Sequence, residues 1–280
     1  MGTKQNAEIY FHVGLGRTAT TFMQRSIFPK FKGIYYVKKN KFKKFDRIIS
    51  STQASKYLIS YEFYSGKLIE EMKKFSAKYP DTKPILVLRR QDKWISSHYK
   101  RSVKKGYPKS LQEYFDLDND TGYRKVDDLY FYPKIKGLEE CFNHKPLVLF
   151  HHDLKDNPQQ FLQQILDYTG VEETKPISFK PRHISYNNKE LRFRQWFAQN
   201  SFIDEVNFKG YKFAELRRFY NKMLRYTLLN LAKIIPNPWL SDKPIMSDEY
   251  LKRIREVYKD DWEKCLEYAR KNNPSANVTT

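Results

Sequence analysis

The chain has 280 residues, 40% of them hydrophobic, with 52 Lys and Arg against 32 Asp and Glu for a formal charge of +20. Its 20 Phe, 21 Tyr and 4 Trp supply far more buriable surface than disordered chains carry, so the composition argues for one sizeable core and against intrinsic disorder. The positive excess draws anions, whether nucleic acid, acidic polysaccharide, anionic lipid or a polyphosphorylated nucleotide, without choosing among them.

Met1 to Glu8 is polar and lacks the apolar stretch of a signal peptide, and the aliphatic runs further on are too short to span a membrane. The two cysteines, Cys141 and Cys265, lie far apart with no CxxC spacing, which leaves neither a disulfide framework nor a cysteine zinc site. These features predict a soluble, cytoplasmic protein; a chain whose leader or anchor had been removed would read the same.

The apolar run Ile9–Val13 predicts a buried strand, and Thr20–Phe28 a helix opening on Thr20 and Thr21. Lys38–Lys44, the densest basic run, reads as a solvated loop. Tyr57–Ser60 predicts a second strand with Glu62 just past its end, and Leu68–Tyr79 a helix stopped by Pro80. A third strand, Ile85–Leu88, leads to a helix over Trp94–Lys104 that ends before Gly106. Leu147–Phe150 is the fourth strand, and Pro158–Thr169 a helix behind Asn157 that stops at Gly170. Past about residue 189 the pattern turns helical, over Lys189–Asn200, Phe213–Ile234 and Ser247–Asn272, with Pro236-Asn237-Pro238 as punctuation. Strands alternating with helices predict an α/β fold, a parallel β-sheet flanked by helices. The whole chain, 1–280, reads as a single domain with an α/β core over 8–190 and a mainly helical C-terminal part over 190–275.

Between the first strand and first helix, Gly14-Leu15-Gly16-Arg17-Thr18-Ala19-Thr20-Thr21 forms a small-residue loop. Such a loop turns backbone N–H groups inward, and the helix start adds a positive dipole, so an anion is expected there. A P-loop nucleotidase needs GxxxxGK[ST], but Ala19 and Thr20 stand where the second glycine and the lysine would be, which disfavours ATP or GTP. Gly14-Leu15-Gly16-Arg17-Thr18-Ala19 does match the dinucleotide pattern GxGxxG/A. Lys38, Lys39 and Asn40 stand where an acidic residue should follow, so NAD fits poorly and NADP is tolerated.

Two motifs together resemble a known family, the 3′-phosphoadenosine 5′-phosphosulfate (PAPS)-dependent sulfotransferases. Gly16-Arg17-Thr18-Ala19-Thr20-Thr21 is similar to their 5′-phosphosulfate loop, Pro-Lys-Ser/Thr-Gly-Thr-Thr, with Arg17 at the lysine position. Arg89 at a strand end and Ser97 eight residues on, followed by His98-Tyr99, resemble their 3′-phosphate element. A guanidinium and a hydroxyl so placed can converge on one phosphate. Arg90 competes with Arg89, and the count to Ser97 favours Arg89. Leu147–Pro158 resembles the family's fourth strand and its Glu-Asp-Leu turn, with His152 at the glutamate's structural position, and Arg182 and Lys189 fall where the family places a basic loop over the 3′-phosphate. The resemblance covers roughly 8–190 and implies a P-loop-like sulfotransferase fold, closer to the carbohydrate branch.

It also implies the chemistry. PAPS is the donor and 3′-phosphoadenosine 5′-phosphate (PAP) the product. Gly14, Gly16, Arg17, Thr18, Ala19, Thr20 and Thr21 surround the 5′-phosphosulfate, and no metal is required. Glu62 is the expected base, as in glycan sulfotransferases, against a rival reading as a surface glutamate paired with a lysine. Arg17 stabilises charge on the sulfuryl group without donating a proton, because arginine stays protonated. His12, on the first strand, reads as a packed histidine. The expected acceptor is a glycan, anionic or neutral, with Arg192, Arg194 and Trp196 as candidates to line its cleft, though an amphipathic helix face accounts for them better. Two rival readings stand: an NADP-dependent oxidoreductase on the glycine pattern, and a nucleic-acid-binding protein on the charge. The second lacks zinc-finger spacing and an aromatic RNA-binding signature.

Overall fold

Short apolar strands that are buried on both faces need a layer of helices on each side. The computed structural model, which describes residues 7–174, 176–179, 187–200, 214–236 and 243–274, has that architecture. The strands are β1 (Glu8–Leu15), β2 (Phe31–Lys32), β3 (Tyr35–Val37), β4 (Lys56–Phe63), β5 (Lys83–Leu88), β6 (Leu147–Phe150) and β7 (Glu172–Glu173). Five of them form one sheet in the order β3-β4-β1-β5-β6, with every pair parallel; β2 and β7 make a small antiparallel ribbon. The helices are α1 (Thr20–Phe22), α2 (Phe45–Ser51), α3 (Leu68–Ser76), α4 (Gln91–Lys105), α5 (Leu111–Tyr114), α6 (Tyr132–Cys141), α7 (Asp153–Asp156), α8 (Pro158–Thr169), α9 (Asn188–Asn200), α10 (Ala214–Ile234), α11 (Asp248–Val257) and α12 (Lys259–Asn272).

The described residues divide into two compact units. Met1–Gln91, Asp127–Arg182 and Val257–Thr280 form the first, which holds the sheet; Asp92–Val126 and His183–Glu256 form the second. On one face of the sheet Tyr10, Leu58, Ile85, Val87, Leu147 and Leu149 bury against Met23, Ile27 and Phe28 and against Phe161 and Ile165 of α8. On the other face Phe11 meets Phe75 of α3 with ring centroids 4.9 Å apart, and Phe150 meets Trp262 of α12 at 5.1 Å. Asp261, buried on α12, accepts from the backbone N–H groups of Phe131 (2.9 Å) and Tyr132 (3.0 Å) and from Gln91 Nε2 (2.8 Å), so α12 caps the start of α6. Asn273 completes the outer edge of β6. Its Oδ1 accepts from Val148 N–H at 3.2 Å and its Nδ2 donates to Val148 C=O at 2.6 Å.

In the second unit Ser110 and Glu113 form a capping box at α5, and α9 packs beside α10. Tyr250 of α11 donates to Phe115 C=O at 2.6 Å, and Arg255 pairs with the buried Asp92 at 3.1 Å.

Each predicted strand is present, Leu147–Phe150 with the predicted bounds and the other three somewhat wider, so Glu62 lies inside β4 rather than past its end. The helix expected over Thr20–Phe28 is broken into α1, a π turn over Met23–Ile27 and a 3₁₀ turn over Phe28–Lys30. Pro29 has no N–H for the Arg25 carbonyl, and the ladder widens ahead of it. The run Ser247–Asn272 splits at Tyr258, which leaves helical geometry and buries its ring 4.9 Å from that of Tyr130. The solvated loop expected at Lys38–Lys44 is instead a 3₁₀ turn over Lys39–Lys44 whose Phe42 stacks on Tyr61 at 4.5 Å.

Candidate active site

The central strand β1 has earlier-pairing partners β3 and β4 on one side and β5 and β6 on the other, so the sheet changes direction around it. The carboxyl ends of parallel strands at such a point leave a crevice in which ligands bind. Four segments of the first unit end there: the loop after β1, Glu62 near the end of β4, Arg89 after β5 and His151 after β6.

Gly14 is needed for the close approach at the loop. A Cβ there would lie 2.8 Å from Thr20 Cγ2 and 3.2 Å from both Glu62 Cγ and the Tyr61 carbonyl oxygen. Beyond Gly16 the chain turns through two left-handed residues, Arg17 (φ 72°) and Ala19 (φ 63°). Such geometry in a non-glycine residue costs about 1–2 kcal/mol and turns successive N–H groups to one side. The Thr18 hydroxyl, buried, donates to Leu15 C=O at 2.6 Å and pins the turn, so Thr18 can serve a ligand only through its backbone. No described residue accepts from the N–H groups of Ala19, Thr20 or Thr21, which open the helical segment. This is a cradle of donors suited to an anion.

Glu62 stands directly across from Gly14 in the strand register. Its Oε1 accepts from the Thr20 hydroxyl at 2.8 Å and pairs with Lys39 Nζ at 3.2 Å. Its Oε2 has no partner among the described residues, which leaves one carboxylate oxygen able to accept a proton. The lysine partner of the rival reading is therefore present, and it engages only one of the two oxygens. Lys39 was legible only as part of a basic run; Phe42, an aromatic residue inside that run, was the sign that it packs.

Arg89 is half-buried, and its guanidinium donates to the Arg17 carbonyl at 3.3 Å, which ties the end of β5 to the loop. His151, whose N–H donates to Leu88 C=O at 2.7 Å, senses both arginines. Burial, followed by the neighbouring Arg89, Lys155, His152 and Arg17, pushes its pKa down to about 4. The carboxyl edge of the sheet is thus electropositive. Beneath the loop, His12 is fully buried with Nδ1 2.7 Å from Ser60 Oγ, which also accepts from Gln24 Nε2 at 3.0 Å. Burial lowers its pKa to about 4 against the pull of Glu62, so this packed histidine is neutral, with Nε2 lacking a hydrogen-bond partner among the described residues.

Ser97 is a largely buried residue of α4 in the second unit. Lys189 is half-buried near the start of α9, and Arg182 lies outside the described residues. Arg90 is half-buried between β5 and α4, and His152 contacts Asp153 at 3.3 Å. Two candidates for the acceptor cleft donate to backbone carbonyls. Arg192 donates to the Lys243 and Pro244 carbonyls at 2.6 Å each, and Arg194 is buried against Gly106, donating to Lys105 C=O at 3.2 Å. Trp196 is exposed and stacks on Phe193.

No family model matches the chain, and no curated protein matches it. Among solved structures, a sulfotransferase from Alicyclobacillus acidocaldarius is similar with a TM-score of 0.51 at 13% identity, covering 85% of this chain and 99% of that one. The mouse sulfotransferase SULT7A1, solved in complex with PAP, aligns at a TM-score of 0.35 and 17% identity over 82% of this chain and 89% of its own. The parallel sheet with its helical layers is the α/β fold of the sulfotransferases.

Proposed function

We propose that this protein transfers a sulfuryl group from PAPS to a hydroxyl, and that the acceptor is a glycan. The reading rests on one observation above all: a donor cradle, two arginines and a carboxylate with one open oxygen share the carboxyl edge of the sheet. In this scheme the backbone of Gly14, Gly16, Thr18 and Ala19, with Thr20 and Thr21, holds the 5′-phosphosulfate. Arg89 and Ser97 grip the 3′-phosphate, supported by their eight-residue spacing from strand end to helix. Lys189 and Arg182 belong to the basic segment over that phosphate.

Glu62 Oε2 takes the acceptor's hydroxyl proton as the acceptor oxygen bonds to sulfur. The bond from sulfur to the bridging oxygen breaks, and PAP departs with the electron pair. Arg17 stabilises the charge that develops on the bridging and sulfuryl oxygens, with no proton of its own to give. A sugar acceptor is supported by the carboxylate base, the basic surface and Tyr64, which lies two residues beyond Glu62 and is 45% exposed, an aromatic face on which a ring can stack.

Thermal-shift titration distinguishes the donor classes. PAP is expected to raise the melting temperature while ATP, AMP and NADP leave it unchanged; stabilisation by NADP alone overturns the reading in favour of an oxidoreductase. With labelled PAPS and a glycan panel, Glu62→Gln is expected to lower turnover by ~10²-fold or more, the scale of a lost general base. Near-normal turnover would remove Glu62 from the mechanism.

A further inference from the structure

Helix α10 buries one face and leaves an apolar stripe on the other. Leu228, Leu229 and Ala232 are buried within the second unit. Leu216, Phe219, Tyr220, Met223, Tyr226, Leu231 and Ile234 are between 41 and 77% exposed. At 100° per residue these seven fall within an arc of about 140°, opposite the buried side. The arc contains no charged residue; its polar members are Thr227 and Asn230. Surface apolar residues scattered singly need no explanation, but a continuous stripe along a 21-residue helix does.

The charges around the stripe select its occupant. Lys222 and Lys233 lie along one margin of the arc, Lys233 with its ammonium 3.9 Å from Glu190 Oε1, and Lys104 of α4 holds its ammonium 5.4 Å from the Tyr226 ring centroid on the same margin. The helix as a whole carries Arg217, Arg218, Lys222, Arg225 and Lys233 against Glu215 alone. A second copy of a chain with a charge of +20 would bring like charges together along this margin. An anionic surface would instead be drawn by the net positive charge of the helix. Aromatic, Leu and Met side chains beside lysines are the composition of helices that lie in the plane of a membrane interface. No described helix is long and apolar enough to cross a membrane, so contact would be in-plane.

We propose that the outer face of α10 docks on an anionic lipid surface, its stripe entering the boundary between headgroups and acyl chains while Lys104, Lys222 and Lys233 meet the phosphates. The full chain is expected to sediment with vesicles of phosphatidylcholine and phosphatidylglycerol, far less with phosphatidylcholine alone, and less as salt is raised. Phe219→Glu with Met223→Glu should weaken binding about tenfold or more, and Lys222→Glu several-fold, with melting temperatures unchanged. Phe219→Ser tests the same face more mildly should the double variant melt early. Failure to bind anionic vesicles overturns the proposal. So does binding that the stripe variants leave intact, which would trace to diffuse charge, or a dimer that these variants dissociate, which would make the stripe a self-association face.

Discussion

Gly14 carries more constraint than its size suggests, because three groups converge on the space a side chain would fill. Gly14→Ala would set a methyl 2.8 Å from Thr20 Cγ2, so either α1 or Glu62 must move. The expected outcome is a loss of about 1–3 kcal/mol in denaturant unfolding, the scale of an overpacked site, together with weaker PAP binding. His12 makes a separate prediction in pH. Its pKa falls from an ordinary 6.5 to about 4 on folding, so between these values the unfolded chain binds the proton and the native chain does not. Stability is therefore complete above about pH 6.5 and declines as pH falls toward 4, by on the order of 3 kcal/mol from this residue. Urea titrations at pH 7 and pH 4.5 should show a larger drop in the native protein than in His12→Gln. Equal drops would mean that the buried imidazole does not govern acid lability. The loop glycines, the hydroxyl residues after them and Glu62 were all legible in the sequence, because their chemistry is local. What Glu62 touches was not, since its pairing with Thr20 and Lys39 depends on the register of β4 against β1.

Elements declare themselves in sequence when their burial is uniform. The four strands over 9–13, 57–60, 85–88 and 147–150 are buried runs, and the eye finds them. β3 is only three residues long at the sheet edge, with Tyr35 exposed, and offers no such run. Helix breaks were hidden for the opposite reason: α11 and α12 are both amphipathic, and a tertiary contact between Tyr258 and Tyr130 separates them. Nothing local signals that α12 returns to the sheet-bearing unit after the excursion through 183–256. Its Asp261 is the anchor. Asp261→Ala would strand two backbone N–H groups and the Gln91 amide, and a loss of about 2–4 kcal/mol is expected from chemical denaturation. A change below about 0.5 kcal/mol would show that water satisfies those donors instead.

For the molecule as a whole, a charge of +20 keeps copies apart at low salt, but screening shortens that repulsion to about 10 Å at 0.1 M ionic strength. Close-range order must then come from geometry. The two hydrogen bonds of Asn273 to Val148 act as a single rung of a neighbouring strand that is not there, which makes the outer border of the sheet unavailable as a template. Asn273→Ala should leave that border able to recruit another chain, so light scattering at physiological salt is expected to rise with time while the fold persists. One side-chain amide, in this view, helps decide whether the protein stays dispersed or polymerises.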